Sequence, residues 1–381
     1  MLYLDAAATS PVRREALEAM WPYLTGDFGN PSSHHTVGES AARGLATARA
    51  QVAGFLGCRP GEVVFTGGGT EADNLAIKGI ALGTPRGRHL VTSRIEHEAV
   101  LESVDYLVRF HGFSVSFVPL DRSGLVTPEA LASVVRDDTT LVTLAHANNE
   151  IGTVQDLAAL SSVTSAAGVP FHSDAVQSVG WLSTRVHDLG VQALSLSGHK
   201  VGAPKGVGAL YVAGRLPLEP LVHGGGQERG RRSGTENVAG AVALGVAVGL
   251  AEESRVARAA TASSVRDAFV ESVLALVPGS QLTGSAPGSA RLPANASFVF
   301  PGTNGESILL ELERRGIVSS SGSACAAGSD EPSHVLTALG YSADAAQTAV
   351  RFTWQADVTA EQLAPVAVAL RESVAAVGSL R

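Results

Sequence analysis

The chain has 381 residues, 45% hydrophobic and 17% charged, with a net charge of −8. Such a composition builds a large core with room for two domains and excludes a disordered chain. The acidic balance, with Arg229-Gly230-Arg231-Arg232 as the one short basic run, speaks against a nucleic-acid binder. The first residues, Met1-Leu2-Tyr3-Leu4-Asp5, lack a secretory pattern, and the longest apolar stretch, 238–251, reads as a buried helix rather than a membrane span. Only two cysteines occur, Cys58 and Cys325, without zinc-ligand spacing. That usage suits a reducing cytosol, although the sequence leaves a disulfide open. The expectation is a cytoplasmic protein with no membrane or nucleic-acid partner.

Taken in chain order, helical patterns at 38–55, 71–80, 100–110, 128–135 and 156–166 alternate with short apolar runs. Those runs predict strands at 62–65, 90–93, 114–118, 141–145, 170–173, 193–196 and 209–212. This alternation predicts an α/β protein with a mostly parallel seven-stranded sheet, whose ligands sit beyond the carboxyl ends of the strands. Residues 238–277 predict one or two long helices, followed by Phe298-Val299-Phe300 and helices at 305–315 and 332–339. The change predicts a second, smaller α/β domain. The expected division is 14–254 for the large domain and 1–13 with 255–381 for the small one.

Most polar clusters fall at strand ends. Thr66-Gly67-Gly68-Gly69-Thr70-Glu71 follows a strand and opens a helix. It is either a tight turn or an anion cup built from glycine backbone and helix N–H groups. His97, in Ile95-Glu96-His97-Glu98, could stack on an aromatic ring and carry protons, or be a loop histidine paired with its acidic neighbours. Asn149 and Gln177 are amides that could bond a ring hydroxyl, with a plain turn as the competing reading of Asn148-Asn149.

Asp174 ends one strand, and Ser197-Gly198-His199-Lys200 ends another 26 residues on. A lysine beside hydroxyl and imidazole donors, with a carboxylate at a neighbouring strand end, is equipment for pyridoxal phosphate. The amine would bind the aldehyde and the carboxylate would pair with the ring nitrogen. The bland alternative for Lys200 alone is a surface lysine. The glycine-rich stretch 223–235, with Thr235 near its end, is either a surface loop or one that reaches a neighbouring subunit's site. Cys325 lies among Ser, Ala and Gly in 319–329, which favours a reactive thiol, whereas Cys58 reads as structural. Arg351 suits either an amino-acid carboxylate or a salt bridge within the small domain.

Taken together, the ordered motifs resemble the cysteine desulfurases of the iron–sulfur assembly type, pyridoxal-phosphate enzymes of the class V aminotransferase family. The resemblance runs nearly end to end. It includes Tyr3–Thr9, Phe28–Ser33, Thr66–Asn74, Glu96-His97, Asn148–Gly152, Asp174–Ser178, Ser197–Lys200, Gly224–Thr235, Ser321–Cys325 and Pro332–Leu336. It implies the fold type I pyridoxal-phosphate transferase architecture. It also implies a role for each residue. Lys200 bonds the cofactor covalently, Asp174 pairs with its ring nitrogen and His97 stacks on the ring. Gln177 and Asn149 bond the ring oxygen or hold substrate. Gly69, Thr70, Ser197 and His199 hold the phosphate, with Thr235 from the partner of a homodimer. Arg351 and Asn30 face the substrate carboxylate.

Cys325 would take sulfur from L-cysteine as a persulfide, releasing L-alanine. It would then pass the sulfur to an iron–sulfur scaffold or another acceptor, with no intrinsic metal beyond a transient iron–sulfur contact at Cys325. A selenocysteine lyase, or another class V enzyme, is the alternative. A non-catalytic assembly protein of the same fold is a third reading. Two cysteines, too few for a four-thiolate cluster, speak against a scaffold role for the chain itself. Two departures stand out. Ala6 occupies a position where relatives usually carry Tyr or His, and Thr353-Trp354-Gln355-Ala356 replaces Ser-Leu-Gly-Arg.

Overall fold

The computed structural model describes residues 1–83, 86–321 and 331–378. In chain order the elements are β1 (Leu2–Tyr3), α1 (Arg14–Thr25), α2 (Thr36–Leu56), β2 (Val63–Thr66), α3 (Gly69–Gly83), β3 (His89–Thr92), α4 (Glu98–His111) and β4 (Ser114–Phe117). Next come α5 (Pro128–Ala132), β5 (Thr139–Thr143), α6 (Leu157–Ala166), β6 (Phe171–Asp174), α7 (Val186–Leu189), β7 (Ala193–Ser197) and β8 (Gly208–Val212). The remainder is α8 (Val238–Glu253), α9 (Arg255–Leu276), β9 (Gln281–Leu282), β10 (Asn295–Val299), α10 (Gly305–Arg314), β11 (Ile317–Val318), α11 (His334–Ala338), α12 (Ala343–Ala346), β12 (Val350–Thr353) and α13 (Ala360–Gly378).

The seven-stranded sheet has the order β2-β8-β7-β6-β5-β3-β4. Its pairs are parallel except around β8, which runs antiparallel to both β2 and β7. Six of these strands are buried along their whole length, which demands helices on both faces. One core cluster joins the sheet to α2 and α8 through residues such as Val52, Leu56, Leu244 and Val248. A second joins it to α3 and α4 through Leu75, Ile80, Val104 and Leu107. The fold class is therefore the mostly parallel α/β sheet that the alternation of apolar runs predicts.

A third cluster centres on Phe269, whose ring meets Phe298, Phe352 and Trp354 edge-on at centroid distances of 6.2, 5.4 and 6.0 Å. It sits under the three-stranded sheet β12-β10-β9. The N-terminus is stitched to the same region. β1 pairs in parallel with β11, Asp5 bridges to Thr353, and Leu4 is fully buried in this cluster.

Several elements differ from the sequence expectation. The stretch 238–277 is two helices, broken at Ser254, whose ψ of 1° is non-helical. The helix expected over 128–135 ends at Ala132, and the one expected from 332 starts at His334, where the Ser333 side chain caps the N–H of Leu336. Helix α1 is absent from the sequence reading because Pro22 stands inside it and its apolar residues lie on two faces. Ala16, Met20 and Tyr23 pack on the core, while Leu17, Trp21 and Leu24 are exposed. Among the described residues, no helix is long and apolar enough to cross a membrane.

Candidate active site

The carboxyl ends of β3, β5, β6 and β7 open into a cavity of about 500 Å³. Its floor carries Gly69, Asp73, His97, Asp174, Ser197 and Lys200; Asn149, Gln177 and Arg351 face it from the sides. Thr70 and His199 also line it. Residues that are isolated hints in the sequence thus share one space. Asn30 and Thr235 are not among its lining residues. Both are exposed, Asn30 in a loop where its Oδ1 accepts the N–H of Ser32 at 2.9 Å, and Thr235 in the glycine-rich stretch before α8. Cys325 lies outside the described residues.

The anion cup is a product of backbone geometry. Gly68 has φ of 149°, a conformation open to glycine. A Cβ on Gly69 would lie 2.7 Å from Val176 Cγ2 and 3.3 Å from Ser197 Cβ, so only glycine lets α3 start this close to β7. The first N–H groups of the 15-residue helix α3 then lie at the cavity with the positive end of its dipole.

Lys200 ends a single 3₁₀ turn, Gly198–Lys200, directly after β7. Its ammonium donates to the carbonyls of Ala7 and Ala8, the latter at 2.6 Å. Gln177 Nε2 donates to the same Ala7 carbonyl at 3.1 Å. The N-terminal segment therefore forms a wall of the cavity. Next to Lys200, the imidazole of His199 is bonded to Thr9 Oγ1 at 3.1 Å. Burial, reinforced by the charges of Lys200 and Lys205, pushes the His199 pKa down to about 4, so the ring is neutral near pH 7. His97 caps α4, its Nδ1 accepting the N–H of Ala99 at 3.0 Å.

Asp174 is the last residue of β6, and its Oδ1 accepts the N–H of Val176 at 2.8 Å. Burial raises its pKa, while His97, that N–H and Lys200 oppose the rise. A cationic group placed in the cavity would complete the reversal, which is the electrostatic demand of a protonated ring nitrogen.

Sequence reasoning missed what lies beneath Asp174. Asp73 projects from α3 with Oδ1 3.7 Å from His172 Nε2, and that atom has no hydrogen-bond partner among the described residues. His172 in turn bonds Ser195 at 2.9 Å and Thr143 at 2.8 Å. Burial, then the charge of Asp174, drives the Asp73 pKa well up, and burial pushes His172 down to about 3. Both carboxyls are raised, and the rise is the stronger at Asp73, so Asp73 is the one of the two that burial favours in its neutral form. Glu96, accepting from Ser93 Oγ at 2.6 Å and Ala145 N–H at 2.7 Å, is also pushed up, to about 8, chiefly by burial. The one available signal for Asp73 was spacing: it sits four residues after Gly69, on the helix face that must pack on the sheet.

Arg351 bonds Asp5 at 2.8 Å and the Asn149 carbonyl at 3.1 Å. The ion pair considered from the sequence is therefore present, at a cavity wall. The set as a whole can hold an anion at α3, a carbonyl carbon at Lys200 and a cationic ring at Asp174.

This fold and site define a class, and comparison with known proteins agrees. Residues 2–366 match the family described as aminotransferase class V, and the chain belongs to that family. Among curated relatives, the cysteine desulfurase IscS of Dictyoglomus turgidum is 44% identical over 95% of this chain and 91% of its own length. The IscS-like cysteine desulfurase of Mycobacterium tuberculosis is 44% identical over the full length of both chains. Among solved structures, a NifS-like protein superposes with a TM-score of 0.90 at 35% identity, covering 98% of this chain and 99% of its own. SspA in complex with cysteine gives 0.81 at 38% identity, over 93% of this chain and 98% of its own.

Proposed function

We propose that this chain is a pyridoxal-phosphate-dependent cysteine desulfurase that takes sulfur from L-cysteine, releases L-alanine and leaves a persulfide on Cys325. The observation that carries the reading is the convergence of the Lys200 amine, the Asp174 carboxylate and the Gly69 cup on one cavity. The residues fit the cofactor. The Gly69 cradle, which any Cβ would fill, suits the phosphate, with Thr70, Ser197 and His199 beside it. The buried Asp174 suits the ring nitrogen, and Lys200 suits the aldehyde. When bound, pyridoxal phosphate supplies an electron sink for the bonds at the substrate α-carbon.

The protein's own residues supply the rest. Arg351, with Asn149, receives the substrate carboxylate, and Gln177 bonds the ring oxygen; Asn30, exposed and outside the cavity, is given no part in it. His97 covers the ring. Lys200, once released, takes the α-proton and returns it in forming alanine. The Cys325 thiolate attacks the substrate sulfur; the new S–S bond forms as the substrate C–S bond breaks, with the electron pair passing to carbon. The persulfide then goes to an iron–sulfur scaffold or another acceptor. We place the enzyme in the cytoplasm as a homodimer, with Thr235 of each protomer reaching the other's phosphate. We divide the chain at 14–254 and at 1–13 with 255–381. Leu4 in the Phe269 cluster and the break at Ser254 support that division.

The test is to load the purified protein with pyridoxal phosphate and supply L-cysteine with a reductant. Equal amounts of alanine and sulfide are expected, and Lys200→Ala should abolish both. Alanine without sulfide, or neither product from the loaded protein, would overturn the reading.

A further inference from the structure

Behind the cofactor cavity lies a second cavity of about 520 Å³. Ala7, Val176, Gln177 and Lys200 face both spaces, so the N-terminal segment and Lys200 form the partition between them. The far walls come from Arg13, Trp181, Arg258 on α9, and Trp354 and Asp357 after β12. None of these takes part in the chemistry described above.

Its polar groups are an unbalanced set. The Arg258 guanidinium lies over the Trp181 ring, 5.1 Å from the centroid. Its Nη1 is buried and has no hydrogen-bond partner among the described residues. The same holds for the indole Nε1 of Trp354, a residue only 1% exposed. Arg13 is fixed at the cavity edge, its Nε donating to the Val201 carbonyl at 3.2 Å. Among the described residues that line the cavity, two guanidinium groups and the Lys200 ammonium therefore stand against one carboxylate, that of Asp357. Burial pushes the Arg258 pKa down, the Arg13 charge adds to that, and Asp357 only partly opposes it. Buried donors without acceptors are costly and rare. Two such donors, one of them charged, on residues that line one cavity call for an acceptor with negative charge. Ala6 and Ala356, the small residues at the two departures from the family pattern, both line this space and leave it open.

We propose that this cavity is a second binding site, separate from the cofactor's, which takes a small oxyanion between the Arg258 guanidinium and the Trp354 N–H. An organic carboxylate and an inorganic oxyanion share that chemistry, and the two are separated by experiment.

Two of the three tryptophans line the cavity, and the third, Trp21, is exposed. Tryptophan fluorescence of the holoenzyme is therefore the readout, titrated in one arm with succinate and in the other with sulfate. Succinate has no amine and cannot react at the cofactor's aldehyde. A saturable change is expected with at least one anion: succinate alone assigns an organic carboxylate, and sulfate at equal or lower concentration assigns an inorganic oxyanion. Arg258→Gln should weaken binding about tenfold or more, because it removes a charge-assisted hydrogen bond. Arg258→Lys should restore part of the loss. Trp354→Phe, which keeps a ring and removes the N–H, should weaken binding by about a few-fold. The proposal is overturned if neither anion gives a saturable change with the parent, or if Arg258→Gln and Trp354→Phe both bind with the parent's affinity.

Discussion

Asp5 and Arg351, 346 residues apart, form an ion pair of 2.8 Å at the wall of the cofactor cavity. The Arg351 side chain is only 2% exposed and Asp5 19%, so water screens the pair weakly. Through its bond to the Asn149 carbonyl, the same guanidinium also touches the loop after β5. One side chain thus ties the N-terminal segment, β12 and the large sheet together where the substrate carboxylate is proposed to bind.

Asp5→Asn should therefore do two things. It takes the Asp5 carboxylate away from a buried guanidinium, which should cost about 3 kcal/mol in urea unfolding. It should also raise KM for L-cysteine, because Arg351 loses the contact that fixes its direction. Parent-like stability together with a parent-like KM would show that the pair positions nothing.

Gly69→Ala tests the anion cup. The added methyl meets Val176 Cγ2, just after β6, at 2.7 Å and Ser197 Cβ, at the end of β7, at 3.3 Å, so α3 or these neighbours must give way. Equilibrium dialysis should show pyridoxal phosphate binding weakened by about tenfold or more, with a stability loss of about 1 to 3 kcal/mol from overpacking. Unchanged cofactor affinity would move the phosphate elsewhere.

How far this site was legible depended on whether a residue's chemistry is declared by its neighbours in sequence. Lys200, Asp174 and the Gly67–Gly69 run stand at predicted strand ends among small polar residues, so strand prediction alone placed them on one edge of the sheet. Asp73 and Glu96 are ordinary acids in the sequence. They acquire meaning only because α3 and the turn before α4 bury them against β6 and β5. Six of the seven strands were legible because buried strands are short, mostly apolar runs, and β4, not buried, showed itself by the alternation Ser-Val-Ser-Phe. Helix α1 was not legible, since Pro22 interrupts its pattern and its apolar residues are split between a core face, Ala16, Met20 and Tyr23, and an exposed one. The second cavity was invisible as well: Ala6, Arg258 and Trp354 are far apart in the chain and meet only in the fold.

The buried Glu96 predicts a pH dependence of the cofactor-free protein. Its folded pKa of about 8 lies above the ordinary carboxyl value of 4.5, so the folded state binds a proton that the unfolded chain releases. Stability from this group is present at low pH and is lost as pH rises toward 8. The histidines His89, His146, His172 and His199, lowered from 6.5 by burial, act in the opposite sense until about a pH unit above that value, where they are neutral in both states. Urea midpoints should therefore fall between about pH 7.5 and about pH 8.5, and Glu96→Gln should flatten that slope. A midpoint that rises over this interval would contradict the assignment.

Cys58 should be inert in the folded protein. Burial, with the nearby charge of Glu62 adding to it, pushes its thiol up to about 12, so almost none is thiolate at pH 8. Brief iodoacetamide treatment of the native holoenzyme, read by peptide mass spectrometry, should label Cys325 and spare Cys58. Cys58→Ser should keep full activity. Preferential labelling of Cys58 would reverse the assignment of the two cysteines.

The central claim is that Cys325 receives the sulfur from a substrate held over Lys200 and Asp174. Its most direct test is Cys325→Ala, loaded with pyridoxal phosphate and given L-cysteine. The account predicts that the variant keeps the visible absorption of the bound cofactor and still shows a spectral response to L-cysteine, yet releases no sulfide, while the parent carries a persulfide on Cys325. Sulfide and alanine release by Cys325→Ala at the parent's rate would contradict it.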